Sequence, residues 1–291
     1  MSIEIDFSYA IDGFYDTVNY YRSEDTMNPT SMPPPIASGI HGNNFIDSTA
    51  VIGKTYYVRF GTVRDSIEKI SDEIILISGD SNYSSVVLVS NMRESIGGQP
   101  IIDAKGHIFS GVNANIVEDN QAFDKKALQV INGYVRTEYS PDFSFSGDFT
   151  AEVRFKFISH QNYGGILCCA QGGSGPWKGW NIIFNANTNN ILVEIDNSLS
   201  IISSATLTPN IYYHVALCRS GSSVRVFLDG NLVASGTYAG NIDPSGSVLY
   251  IGVEREGNLK TNGHFDEVRI TKGVARYLAN FTPPKARYPL S

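Results

Sequence analysis

The stretch 225–236, RVFLDGNLVASG, constrains the fold more than any other part of the chain. Val224, Val226 and Leu228 recur at every second position, and Leu232 and Ala234 do the same beyond Asp229-Gly230. Side chains alternate across a strand, so each run presents one apolar face. A type I′ turn needs positive φ at both central residues, and Asp-Gly adopts it at little cost. The segment therefore reads as an antiparallel hairpin with one face buried. Similar short runs, set apart by Gly, Pro, Asn, Asp and Ser, recur along the chain, and no stretch carries a convincing 3.6-residue period.

Sixteen Tyr, fifteen Phe and 27 Gly, in a chain 42% hydrophobic and 18% charged, favour strands and turns over helices. The 291 residues suffice for two domains. No run approaches the roughly 18 apolar residues of a membrane span. The start, MSIEIDFSYAIDG, lacks the basic and apolar regions of a signal peptide, so synthesis in a cytoplasm without membrane insertion is expected. Cys168, Cys169 and Cys218 lie in strand-like sequence with no third ligand at zinc spacing, and read as small buried hydrophobes.

The net charge of −7 is uneven. Residues 1–79 hold eleven acidic and five basic side chains, whereas 80–291 hold eighteen and seventeen. An acidic first part argues against nucleic acid as a partner, which needs a basic face. The polar connector SGDSNYS (78–84) marks a boundary, giving domains 1–79 and 80–291. The first reads as a small sandwich of short strands around a bend at Pro33, Pro34 and Pro35. The second reads as about twelve antiparallel strands in a jelly-roll sandwich.

Within 1–79, FIDSTAVIGKTYYVRFGTVRDSIEKISDEI resembles the second half of a fibronectin type III domain, whose tyrosine corner would fall on Tyr56, three residues after Gly53. The first of the usual seven strands is missing. In the second domain, YYHVALCRSGSSVRVFLDG followed by GHFDEVRITKGVARYLANFTPP resembles the laminin-G-like members of the concanavalin A-like lectin/glucanase fold. The segments 100–109 and 127–157 extend the likeness. The closing form DEVRITKGVARYLANFTPP is most similar to versions in bacteriophage tail and virion proteins. One departure is that VVLVSNMRE stands where the family's first strand ends in Phe-Asp-Gly. The resemblance implies a phage virion protein, located in the virion and tail-associated, that adheres to a host surface glycan. Other virion proteins and copies of itself are the further expected partners. A purely structural virion subunit is the alternative, and a polysaccharide-degrading enzyme the third reading.

Catalytic signatures are incomplete, so a non-enzyme is expected. On the fold's glucanases a Glu-x-Asp-x-(x)-Glu strand supplies nucleophile and acid/base. Here Glu194 and Asp196 share a face, but the third position is Ser198 or Leu199. No nucleophile elbow exists, because the sequence around Ser174 lacks the final Gly. His41, His107, His160, His214 and His264 are scattered, and His214 is expected to hydrogen-bond within the sandwich. A binding site has more support. The loop 170–181, AQGGSGPWKGWN, holds both tryptophans, and an indole face suits the apolar face of a sugar ring. Trp177, Trp180, Lys178 and Asn181 are the candidate ligand residues, with the polar loop 253–264 at the same rim. No cofactor is required. Calcium is common among the relatives, but its ligands are unassigned; Asp103, Asp119 and Asp124 read as turn formers. Asp266 is expected to be structural.

Overall fold

A computed structural model describes residues 2–8, 14–42, 44–92, 100–173 and 176–290. It divides into two compact units, Met1–Tyr83 with Pro284–Ser291, and Ser84–Pro283. The first unit runs past the expected boundary at 79/80. Ser78 is tied back through its hydroxyl to the Val51 carbonyl, and Tyr83 N–H bonds the Asp80 carbonyl at 3.0 Å. The second unit stops before the expected end at 291, and the tail carrying buried Ala286 and Tyr288 groups with the first.

The first unit has seven strands: β1 Ser2–Ser8, β2 Thr17–Ser23, β3 Ala37–Ile40, β4 Asn44–Val51, β5 Thr55–Arg64, β6 Ile67–Ile70 and β7 Ile74–Ile77. β1 and β4 form one antiparallel pair, while β3-β2-β5-β6 form the other sheet with β7 also on β5. The alternate residues Val18 and Tyr20 of β2, and Tyr56, Val58 and Phe60 of β5, pack with Ala50 of β4 in one buried cluster. The strand period of two produces this directly, since each strand turns every second side chain inward. The Tyr56 hydroxyl accepts the Val51 N–H at 3.1 Å and pins the corner between β4 and β5.

The second unit adds fourteen strands. They are β8 Val86–Ser90, β9 Ile101–Ile102, β10 Ile108–Glu118, β11 Lys126–Thr137, β12 Phe149–His160, β13 Gly165–Ala170 and β14 Gly179–Phe184, followed by β15 Asn190–Ile195, β16 Leu199–Thr206, β17 Tyr212–Ser220, β18 Ser223–Leu228, β19 Asn231–Thr237, β20 Leu249–Ile251 and β21 Thr261–Lys272. The order is β16-β15-β14-β13-β20-β11-β21-β12-β17-β18-β19; β10 and β9 extend from β11, and β8 pairs with β21. This sheet curls round one core, as a jelly-roll sandwich does. Phe157 of β12 meets Phe184 of β14 at 4.8 Å between ring centres. Trp180 of β14 meets Phe145, which stacks on Phe149 of β12 at 4.1 Å. The end strands β16 and β19 meet through side chains: a Cβ on Gly236 would lie 2.9 Å from Leu199, and Ser204 donates to the Val233 carbonyl.

The hairpin expected at Asp229-Gly230 forms, with φ of 46° and 77° at its central residues. The expected strands of the second domain are all present, and β9 and β10 were not foreseen. β10 hides because most of its side chains are exposed and several are polar, so no apolar alternation marks it.

Candidate functional site

The two faces of the sheet between β16 and β11 have opposite jobs. Trp180, Ile182, Val193, Leu249 and Ile251 point into the core. On the other face, directly paired residues line up across six strands: Ser200, Glu194, Asn181, Cys168, Tyr250 and Arg136. Five strand spacings of about 4.8 Å make this row about 24 Å long. Two clefts open on this face. One, of about 380 Å³, is lined by Tyr163, Ile183, Glu194, Glu254, Arg255 and Asn258 among others. Its neighbour, of about 460 Å³, is lined by Gln171, Gly172, Ser247, Tyr250 and Arg255 among others. Arg255 is common to both.

The loop between β20 and β21 is shaped by Glu254. Its two carboxylate oxygens accept the backbone N–H groups of Glu256 and Asn258, at 2.8 and 2.9 Å, and of Leu259 at 3.3 Å. That closes the loop on itself and presents Arg255. The Gly-rich loop lies against it, with the Gly173 N–H donating to Glu256 at 3.2 Å. The two loops singled out in the sequence therefore form one rim. Ser174 and Gly175 fall outside the described residues.

The four sequence-predicted ligand residues separate. Trp177 is 6% exposed, with the Arg255 guanidinium 4.8 Å above its ring. Asn181 is 1% exposed on the outer face. Its amide makes one long contact to Glu194, 3.5 Å, and among the described residues its Oδ1 has no hydrogen-bond partner. Glu194 in turn lies 3.9 Å from Arg255. Trp177, Arg255, Glu194 and Asn181 are thus contiguous. Trp180 corrects the expectation: it is 0% exposed in the core, and its Nε1 donates to the Phe143 carbonyl. The alternation that puts Asn181 outside puts its predecessor inside. Lys178 has its ammonium group 3.5 Å from Asp196. Asp196 sits in the β15–β16 turn at φ 51°, accepts the Gly179 N–H at 2.6 Å and is bonded by Tyr238. Burial and that carboxylate push the Tyr238 hydroxyl up to about 12. Lys178 therefore belongs to the brace of a turn. Arg255 and Tyr250 were missed as individual residues; the only signal for Arg255 was the polarity of its loop.

The opposite sheet carries a second polar cluster, and it is sealed. Asp119 accepts bonds from Lys156, His264 and Tyr212 at 2.6, 2.5 and 2.9 Å. Burial opposes its ionisation, but these bonds and the Gln121 N–H outweigh it and hold the carboxyl well below the usual range. A bulge between Phe265 and Val268 leaves Asp266 and Glu267 on the same outer side, where Asp266 meets Arg154 and accepts the Phe123 N–H. Buried His214 bonds Glu152 at 2.9 Å, an internal role as expected. Asp103 closes its own turn through the N–H groups of Lys105 and His107. All three cysteines are free and buried, and burial raises their thiols, Cys218 to about 12. Among the described residues no three His, Cys, Asp or Glu side chains gather to hold a metal.

A curled jelly-roll with a loop-rimmed cleft on one outer sheet face defines a lectin-type β-sandwich. The family model of the concanavalin A-like lectin/glucanases superfamily matches residues 130–275, and the chain belongs to that family. Among solved structures it is similar to domain 4 of an extracellular arabinanase from Geobacillus stearothermophilus in complex with arabinotriose. There the identity is 13% and the TM-score 0.53, over 66% of this chain and 94% of that one. It is also similar to Trypanosoma rangeli sialidase, with 12% identity and a TM-score of 0.51, over 75% of this chain and 40% of the sialidase. At such identities the likeness is one of fold. No curated protein matches the sequence.

Proposed function

We propose that the second unit binds a glycan at the Arg255 clefts, and that the whole chain serves a bacteriophage virion as a tail-associated adhesin for the host surface. The observation that carries the binding reading is the contiguity of Trp177, Arg255, Glu194 and Asn181 beside two open clefts. An aromatic platform beside a few polar groups is the usual makeup of a sugar site. The arabinanase domain with its bound arabinotriose supports the reading at the level of fold. The phage setting is supported by the closing sequence 266–284, and virion partners and a homo-oligomer come with it.

The first unit we read as a fibronectin type III-like spacer. The pairing of β1 with β4, the separate sheet around β2 and β5, and the Tyr56 corner support it. We read the protein as non-catalytic. Both Glu254 oxygens are taken by backbone and Asp196 by its turn, and Glu256, the other carboxylate at the cleft, accepts the Gly173 N–H and faces Arg255 rather than standing free as the acid or nucleophile that glycoside hydrolysis needs. The second reading, a structural virion subunit, is favoured by Ile102, Ile108 and Val112, exposed together on β9 and β10.

The test is binding of the purified protein to host cells and to a glycan panel containing arabinotriose, with and without EDTA. Saturable, sugar-competed binding that falls at least about tenfold in Trp177→Ala supports adhesion. EDTA sensitivity would add calcium. Absent binding in the assembled, multivalent form favours the structural subunit, and reducing-sugar release abolished by Glu194→Gln would establish an enzyme.

A further inference from the structure

We propose that Arg255 is a displaceable cover on the indole of Trp177, and that the group which displaces it is an uncharged sugar ring. The inference rests on the glycan reading and concerns the same clefts. A guanidinium carries five N–H donors, and a fixed one satisfies most of them. Arg219 shows what fixed means in this molecule: it is buried and donates to the carbonyls of Gly147, Gly240 and Phe145. Among the described residues the Arg255 side chain makes no hydrogen bond. Its Nε is buried without a partner, and its ion pairs to Glu194 and Glu256 lie at 3.9 and 4.0 Å, beyond hydrogen-bonding reach. What holds it is the ring of Trp177, 4.8 Å away.

The position of this loosely held group is what gives it a function. It forms part of the wall of both clefts, so moving it would join them into one groove from Glu194 to Tyr250. It occupies the indole face, which is the surface a sugar ring stacks on. In register between Glu194 and Tyr250 stands Asn181, whose buried Oδ1 lacks a donor. A sugar hydroxyl is a donor, and burying such an acceptor unsatisfied is unfavourable, so a ligand that reaches it gains that bond. The charge follows from the same inventory. Once the guanidinium leaves the ring, Glu194 and Glu256 remain at the cleft and repel a carboxylated sugar.

The test compares wild type with Arg255→Ala. Acrylamide quenching of Trp177, taken as the difference from a Trp177→Phe background, should rise clearly in Arg255→Ala without any ligand. The probes are arabinotriose, maltotriose, cellotriose and N-acetylchitotriose as neutral chains, and sialyllactose as the carboxylated one. The neutral chain that binds should bind Arg255→Ala about three- to fivefold more tightly, the fold-change matching loss of an exposed cation–π contact. Sialyllactose should bind neither protein. Unchanged quenching overturns the cover. Weaker neutral-chain binding by Arg255→Ala than by wild type also overturns it, making Arg255 a ligand contact while the glycan site stands. Failure of both proteins to bind any probe overturns the cover together with the glycan reading.

Discussion

Only Lys178 and Gly179 separate Trp177 from Trp180, and the strand that begins at Gly179 turns the second into the core while the first stays at the loop rim. Trp180→Ala should cost about 3–5 kcal/mol, because a large ring leaves a cavity among Phe143, Phe145 and their neighbours. Trp177→Ala should cost well below that, since one face of its ring meets a guanidinium. Chemical denaturation of the two variants checks the ranking. Both indoles were visible in the sequence, but only their alternation with Asn181 tells which is inside. Arg255 was legible only as part of a polar loop, because its role comes from a contact with Trp177 across 78 positions of chain. Asp119 gives a prediction in pH. Its carboxyl ionises more readily in the folded protein than in the unfolded chain, so its stabilisation is present above the unfolded value of about 3.9 and is lost as pH falls below it. Asp119→Asn should lack that acid-side loss in a urea titration run from pH 6 downward. Asp119→Ala should cost about 2 kcal/mol at neutral pH by removing the carboxylate that half-buried Lys156, His264 and Tyr212 share.

At the scale of the element, local rules carried far. The Asp229-Gly230 hairpin forms where the alternation and the turn residues put it, with β18 and β19 on either side. Gly230 is required twice over, by its φ of 77° and by the Phe281 carbonyl, which a Cβ would meet at 1.9 Å. Gly230→Ala should therefore exceed the roughly 1 kcal/mol of a left-handed alanine, and a thermal melt should show it. Tyr56→Phe, which removes only the corner bond, should cost about 1 kcal/mol in the first unit. The elements that escaped are short or wet: β3 and β6 have four residues each, and β10 shows little apolar pattern. Burial leaves an imprint on sequence and exposure does not, so an edge strand facing solvent reads like a loop.

On the whole-molecule scale, the chain's end groups with its beginning. Truncation after Pro283 should loosen the first unit and spare the second, with amide exchange rising on β5 and not on β12. The strand order carries a longer consequence. β21 lies between β11 and β12 and also pairs with β8, yet it is the last strand of the unit to be made. Until residue 272 has left the ribosome, the sheet exists as two halves, β16 through β11 and β12 through β19, each with a raw edge where the other should be. A hairpin such as β18–β19 can form early, but among the described residues no strand of one half pairs with a strand of the other. Folding of this unit is therefore completed only once β21 is free to pair. A ribosome stalled before Thr261 would hold a chain whose most apolar strands are open to pairing with a neighbour's.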